Sequence, residues 1–281
     1  MNEDAPRAAH TRRDVVRAWG PDAVKFLQGQ LSQDVDALAV GTSSWTFVLQ
    51  PQGKVDTWAR ITRTAADEVL LDTDHGSGQG LHDRLARFLI RTKAELEVLE
   101  WPAVAVRGAD APRGDLPEGV LRLPLARPGL EGYDLLGPGA EVPADVAPMT
   151  EDELRAHDVV HGIPTMGREL TDATIPAEVG DWIVAESVSF TKGCFVGQEL
   201  TARIDSRGGN VPRHLRALLL DAPVEAGTAV ECDGPPAAVT TAAVSERHGP
   251  VALAFLGRAV SPGTEVHVGG VRGVVHELPL R

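Results

Sequence analysis

The chain has 281 residues, which at about 150 per domain allows roughly two domains and is enough to bury a core without disulfide or metal staples. Hydrophobic residues make up 43% and charged residues 24%, as in ordinary globular proteins, while 29 glycines and 20 prolines argue against a helical bundle or coiled coil. Twenty-seven Lys and Arg against 40 Asp and Glu leave a formal charge of -13, which argues against nucleic acid and anionic membrane as direct partners.

At the start of the chain, Glu3 and Asp4 stand where a signal peptide would need positive charge and then an apolar run. The longest clean apolar run, Val251 to Leu256, is far short of the ~20 residues that a membrane span requires. Gly20-Pro21 then predicts a short helix with Pro at its first position, Val24 and Leu27 on one face and Gly29 at its end. Ser44 to Leu49, the turn Pro51-Gln52-Gly53 and Val55 to Thr62 alternate as a hairpin, and Val69 to Leu71 after Asp67-Glu68 adds a third strand.

The sequence His75-Gly76-Ser77-Gly78-Gln79-Gly80 lies between a strand and a helix, where backbone amides can cradle a phosphate. Its spacing is not that of a dinucleotide fingerprint, and no acidic residue closes a βαβ unit, so a flexible loop is expected. Leu81, Leu85, Phe88 and Leu89 give the next helix an apolar face, and Leu96 to Leu99 and Val104 to Val106 return to strand. Sheet plus helices in this order reads as α+β. The Pro- and Gly-rich stretch 109–148 is loop-like, with short strands at Val120 to Leu123 and Tyr133 to Leu136.

A capping box, Thr150-Glu151-Asp152-Glu153, opens a helix over 151–161, and Gly162 with Pro164 stops it. Within it His157 and His161 sit at i and i+4, a metalloprotease-like spacing. No third ligand follows and His161 falls on the last turn, so C-capping or solvated imidazoles are expected and no metal. From Leu215 onward short apolar strands broken by Gly and Pro, with a Gly269-Gly270 turn, predict a terminal β-barrel of about 65 residues.

Chemistry concentrates in Phe190-Thr191-Lys192-Gly193-Cys194-Phe195-Val196-Gly197-Gln198-Glu199-Leu200-Thr201-Ala202-Arg203. If a helix begins near Gly197, Cys194 lies before its positive end with Lys192 two residues away, and both effects favour a reactive thiolate. The competing account is a capped helix with a Glu199–Arg203 pair and a buried small thiol. Arg203, Arg207, Arg213 and Arg216 make the following stretch locally cationic, as an anion site or as solvated turns. Cys194 and Cys232 are the only cysteines and form no C-x-x-C or zinc array. That fits a reduced, cytoplasmic setting and no resident metal or cluster on one monomer.

The octapeptide Lys192 to Glu199 resembles the K-G-C-[YF]-x-G-Q-E signature of the YgfZ family of folate-binding proteins and related mitochondrial iron-sulfur assembly factors. Gly20, Asp22-Ala23, Phe26 to Leu31, Asp34-Val35, Pro51 to Val55, Gly162 to Pro164, and Ile175-Pro176 with Glu178 support the match. The resemblance implies the fold of the aminomethyltransferase, or T-protein. In that fold, three lobes form a ring around a folate channel closed by a C-terminal β-barrel, which here implies two intertwined α+β lobes in residues 1–210 and the barrel at 211–281. It also implies tetrahydrofolate binding, iron-sulfur client enzymes as partners, 4Fe-4S enzymes in particular, and an indirect effect on tRNA modification.

On this reading Cys194 is the reactive residue. Lys192, Gly193, Gly197, Gln198, Glu199 and Arg203 border the folate, Arg213 meets its carboxylates, and Glu199 or Glu178 accepts from the pterin. The transferase pattern places carboxylates where this chain has Thr57 and Trp58, and Asp56 is one residue off register. That weighs against aminomethyl transfer, the first alternative. A noncatalytic binding scaffold is the second.

Overall fold

A computed structural model describes residues 6–108, 116–144, 146–206 and 210–281. Glu3, Asp4, Arg207 and positions 109–115 and 145 of the expected loop stretch lie outside the described residues. Strand β1 (Arg7–Trp19) and helix α1 (Ala23–Gln30) lead into the meander β2 (Ser43–Leu49), β3 (Val55–Ala65) and β4 (Glu68–Asp74). Helix α2 (Gly78–Ala86) and strands β5 (Glu95–Arg107), β6 (Leu121–Pro124) and β7 (Gly132–Leu136) follow. The sheet runs β2-β3-β4-β1-β5-β7-β6, with the two-residue β8 (Ala147–Pro148) beside the start of β1.

Strand β1 is the central strand, with Val16 opposite Leu71 on one side and Val98 on the other. Its sequence alternates poorly because the sheet buries charge as well as hydrocarbon. Arg60, wholly buried, makes a bidentate pair with Asp72 and a third bond to Asp134, while Arg13 reaches Asp72 and Asp74 and Arg107 reaches Asp134. Each buried cation thus meets carboxylates in hydrogen-bonding geometry, the condition under which such charges are tolerated. On one face, α1 and α2 cover Val16, Ala59, Ile61 and Leu71 with Phe26, Leu27, Leu81 and Leu85.

The other face carries the aromatic centre of the molecule. Trp45 and Trp58 stack at 4.2 Å, and Trp58 meets Trp182 edge-on at 6.4 Å. Around them pack Val159 from α3 (Glu151–His161), Ile183 from α5 (Asp181–Ser187), and Leu215, Leu253 and Phe255 from the barrel. Truncating a core aromatic of this size costs about 3–5 kcal/mol, so this junction is a principal bond between the parts. Helices α4 (Pro176–Val179) and α6 (Gln198–Ser206) complete the helical layer. The barrel closes in the order β10-β11-β12-β9-β14-β13, from β9 (Arg213–Leu220), β10 (Ala229–Glu231), β11 (Ala237–Ser245), β12 (Gly249–Gly257), β13 (Glu265–Val268) and β14 (Val271–His276).

Helix α3 has the expected boundaries and both halves of the capping box, and Gly162 adopts the left-handed C-cap. Three local expectations are corrected. Pro21 precedes the N-cap Asp22 rather than opening α1. The strands expected at 96–99 and 104–106 are one, because β5 runs through Pro102, whose missing N–H is no loss where its carbonyl accepts from Gly137. Helix α2 stops at Ala86, so Phe88 leaves the apolar face, sits 46% exposed and stacks over Arg84.

The glycine loop ahead of α2 holds an internal anion. Gly76 and Gly78 N–H groups each donate to Asp14 Oδ2 at 2.8 Å, and His75 Nδ1 is 2.8 Å from Oδ1. Burial works against the charge, but the bonds from Gly78, His75 and Gly76 hold the Asp14 pKa below its usual value. The Gly76 and Gly78 amides are therefore occupied by Asp14 and not open to a phosphate. His157 and His161 stack at 4.2 Å, with His161 Nδ1 on the His157 carbonyl at 2.8 Å and His157 Nδ1 near Asp158 at 3.1 Å.

Candidate functional site

The Cys194 loop is tied down at both ends by groups that the octapeptide supplies. Lys192 Nζ donates to three carbonyls at the end of α1 and beyond, Gln28 at 2.6 Å, Leu31 at 2.7 Å and Gln33 at 2.9 Å. All three ammonium protons are thus engaged by backbone, and burial lowers the Lys192 pKa to about 8. Its role in the structure is to clamp the loop to α1, and it offers no free proton to a ligand.

At the other end, Gly197 (φ 83°) lies against the β2–β3 turn. A Cβ there would come 2.6 Å from the Gln50 carbonyl and 2.7 Å from Leu49 Cβ, and Gly53 in that turn would meet Leu200 as closely. The two sequence motifs, Gly53 in the turn and Gly197 before α6, therefore exist for each other. Gln198 Oε1 accepts from the Phe195 N–H at 3.2 Å and draws the loop into its turn. Helix α6 begins at Gln198, as expected, and Cys194 stands exposed on the loop before it. Gly193 has open space on all sides.

Glu199 and Arg203 are both exposed and form no ion pair with each other. Glu178 and Arg213, separate candidates in the sequence, are brought together. Arg213 Nε and Nη2 lie 3.0 Å from Glu178 Oε1 and Oε2, and Glu178 Oε2 also accepts from the Ile175 N–H at 3.1 Å. The pair joins α4 to the barrel strand β9, with Arg213 stacked over Phe255. Of the sequence candidates, Gly193, Cys194, Glu199 and Arg203 make no such side-chain bond among the described residues.

Beside this loop lies a cleft of about 510 Å³ between α4, α5 and α6. Asp181, Val184 and Ala185 of α5 and its C-cap Val188 line the cleft, while Trp182 and Ile183 pack in the aromatic centre, which Val184 and Val188 also touch. Ile175 and Phe190 extend the apolar wall, and Thr201, Ile204 and Asp205 of α6 close it. The sequence motifs did not include Asp181 or Asp205; the only signal for Asp181 was its i, i+3, i+4 spacing with Val184 and Ala185 in α5.

Among the described residues, three buried donors in and beside the aromatic centre have no acceptor, Trp45 Nε1 being one of them. Arg127 stacks 4.6 Å above Trp182, and both its Nη1 and Trp182 Nε1 are buried without a hydrogen-bond partner. Thr57 and Trp58, which stand where transferase carboxylates are expected, are themselves buried, and Trp58 Nε1 donates to Ser187 Oγ at 3.0 Å. Asp56 instead approaches Arg84 at 3.7 Å, and burial raises its pKa.

No family model matches the chain. It is 30% identical over 220 residues to a protein of Pyricularia oryzae named iron-sulfur cluster assembly factor IBA57 homolog, mitochondrial, covering 74% of this chain and 56% of that one. It is 27% identical over 238 residues to the tRNA-modifying protein YgfZ of Edwardsiella ictaluri, covering 69% and 65%. An uncharacterized protein of Haemophilus influenzae matches at 27% over 202 residues, 71% of this chain and 69% of that one. The chain thus spans between about half and two thirds of the relatives that carry a functional name. The crystal structure of the glycine cleavage system aminomethyltransferase T from Bartonella henselae superposes with a TM-score of 0.76, covering 98% of this chain and 87% of the other at 19% identity. The fold expected from the octapeptide is therefore the fold observed.

Proposed function

From a chain homologous to iron-sulfur cluster assembly factors and to a tRNA-modifying protein, and folded like an aminomethyltransferase, we infer a factor in iron-sulfur protein biogenesis. We further propose that it binds tetrahydrofolate and presents Cys194 to 4Fe-4S client enzymes in the cytoplasm. The observation that carries this reading is the exposed Cys194 on a loop held by Lys192 at one end and by the Gly53–Gly197 contact at the other. The same tether that packs Phe195 against the core leaves the adjacent Cys194 thiol exposed at the surface. An effect on tRNA modification would be indirect, through a client, in keeping with the charge of -13.

The chemistry of the cleft fits the pterin end of a folate. A pterin offers an amino group beside a ring N–H, and Asp181 and Asp205 are acceptors at the edge of apolar walls. Among the described lining residues there is no cation, and the glutamyl carboxylates would lie toward solvent, where Arg203 of α6 is exposed. When bound, the reduced pterin would supply a one-carbon or redox carrier, and the protein's part is to hold it by the two carboxylates.

One-carbon transfer is disfavoured because Trp58 is locked between Trp45 and Ser187 at a position where the transferase pattern has a carboxylate. Anaerobic calorimetry with tetrahydrofolate on the wild type, Cys194→Ser and Asp181→Asn, joined to client-enzyme activity in a deletion strain, tests the reading. Binding should survive Cys194→Ser and weaken in Asp181→Asn, while client activity should fail with Cys194→Ser. No binding by the wild type would remove the folate, and full client activity with Cys194→Ser would remove the thiol.

A further inference from the structure

Between α2 and β5 the chain changes character. Residues 87–93 hold the exposed Arg87, Arg91 and Lys93 and no carboxylate, in a protein of net charge -13. The same segment exposes two large apolar side chains, Phe88 at 46% and Ile90 at 77%, the latter the most exposed large hydrophobic among the described residues. Exposed apolar and cationic groups set side by side are the makings of an interface rather than of a solvated turn.

The segment is held in place. Leu85 is fully buried and Leu89 packs against the α1–α2 core, which fixes one end. At the other end, the Lys93 N–H donates to Asp22 Oδ2 at 2.9 Å, and the Asp22 N–H returns to the Lys93 carbonyl at 3.2 Å. Between these anchors Arg84 lies 4.5 Å beneath the Phe88 ring and props it outward. Arg91, at the tip, has φ 58°, and it is the one residue other than glycine with positive φ among the described residues. A side chain kept where glycine would be easier is a cost that the fold alone does not explain.

We propose that residues 87–93 form a docking surface for an acidic protein partner, one presenting an aliphatic groove rimmed by carboxylates. Ile90 and Phe88 would enter the groove, and Arg87, Arg91 and Lys93 would pair with its rim. Charge complementarity selects this partner. An extended polyanion, whether nucleic acid or anionic lipid, would meet the acidic remainder of the chain as well as the patch, whereas a compact groove meets the patch alone.

The probe is a fluorescein-labelled amphipathic helical peptide of Leu and Glu, followed by anisotropy, with a Leu and Lys peptide, phosphatidylglycerol vesicles and single-stranded RNA alongside. The full chain should bind the Leu and Glu peptide, more weakly at high salt, and prefer it to the other three. Ile90→Asp and Arg91→Glu should each weaken binding about tenfold, the scale of one lost anchor. Val244→Asp, at another exposed apolar site, should change nothing. Arg91→Gly should raise Tm while weakening the peptide, which separates recognition from folding. Equal effects of Ile90→Asp and Val244→Asp, an Arg91→Gly protein that binds as well as wild type, or preference for vesicles or RNA would each overturn the proposal.

Discussion

The carboxylate of Glu178 and the guanidinium of Arg213 close on each other edge to edge, Oε1 3.0 Å from Nε and Oε2 3.0 Å from Nη2. The pair crosses from the helical layer to the barrel, and Glu178 is almost completely buried while Arg213 is about one third exposed. Removing the cation strands a buried carboxylate, so Arg213→Ala should cost about 2–3 kcal/mol, and the double variant with Glu178→Gln should cost less than the sum. Urea midpoints of the four proteins check this.

The two glycines flanking Cys194 should respond oppositely. Gly197→Ala forces a Cβ within 2.6 Å of the Gln50 carbonyl at positive φ and should cost about 2–4 kcal/mol. Gly193→Ala meets open space and should stay within about 0.5 kcal/mol of wild type. Thermal unfolding of both variants separates the structural glycine from the permissive one.

Cys194 should outreact Cys232 near neutral pH. Cys194 is exposed, whereas Cys232 is half-buried, with its thiol pushed up by burial and by Asp233. Alkylation followed by peptide mass analysis should show Cys194 modified at least about tenfold faster. Cys194→Ser should leave Tm unchanged, since nothing in the core depends on that sulfur.

Acid should destabilise the protein through His161 before the carboxylates titrate. Burial, and then the neighbouring His157, lower its pKa from 6.5 to about 4. Between those values the unfolded chain holds a proton that the folded protein refuses, so stability falls as pH drops from 6.5 to 4. His161→Gln keeps a donor for the His157 carbonyl without titrating, and urea titrations should show it losing about 2 kcal/mol less across that window.

Trp182 and Trp58 make a matched test of the aromatic centre. Trp182→Phe removes an unpartnered N–H and should leave stability within about 1 kcal/mol of wild type, whereas Trp58→Phe strands Ser187 Oγ and should cost about 1–3 kcal/mol. Chemical denaturation of the two variants reads the difference.

Elements governed by local chemistry were legible in the sequence. The Thr150 capping box and Gly162 set both ends of α3, and the Pro51-Gln52-Gly53 turn set the β2–β3 hairpin, because each depends on groups a few residues apart. Strand β1 was not legible, since Arg12, Arg13, Asp14 and Arg17 break its alternation and only the distant Asp72, Asp74 and Glu68 explain why Arg13 and Arg17 sit in a sheet. The octapeptide marked the site, but its chemistry was divided differently from the expectation. Lys192 turned to the backbone of α1, Glu178 and Arg213 to each other, and Asp181 and Asp205 entered the cleft with no motif to announce them.

The position of β1 also orders the making of the protein. A chain leaving the ribosome delivers β1 ahead of the other strands of its sheet, yet its neighbours β4 and β5 are complete only at residues 74 and 107. Until then Val15, Val16 and Ala18 have no sheet to enter, and the meander β2-β3-β4 can fold ahead of them from local contacts. Strand β1 is therefore the first strand of its sheet to be synthesised, yet it gains its first neighbour only with β4 and its second only with β5, and the nascent chain must shelter its edges throughout that interval.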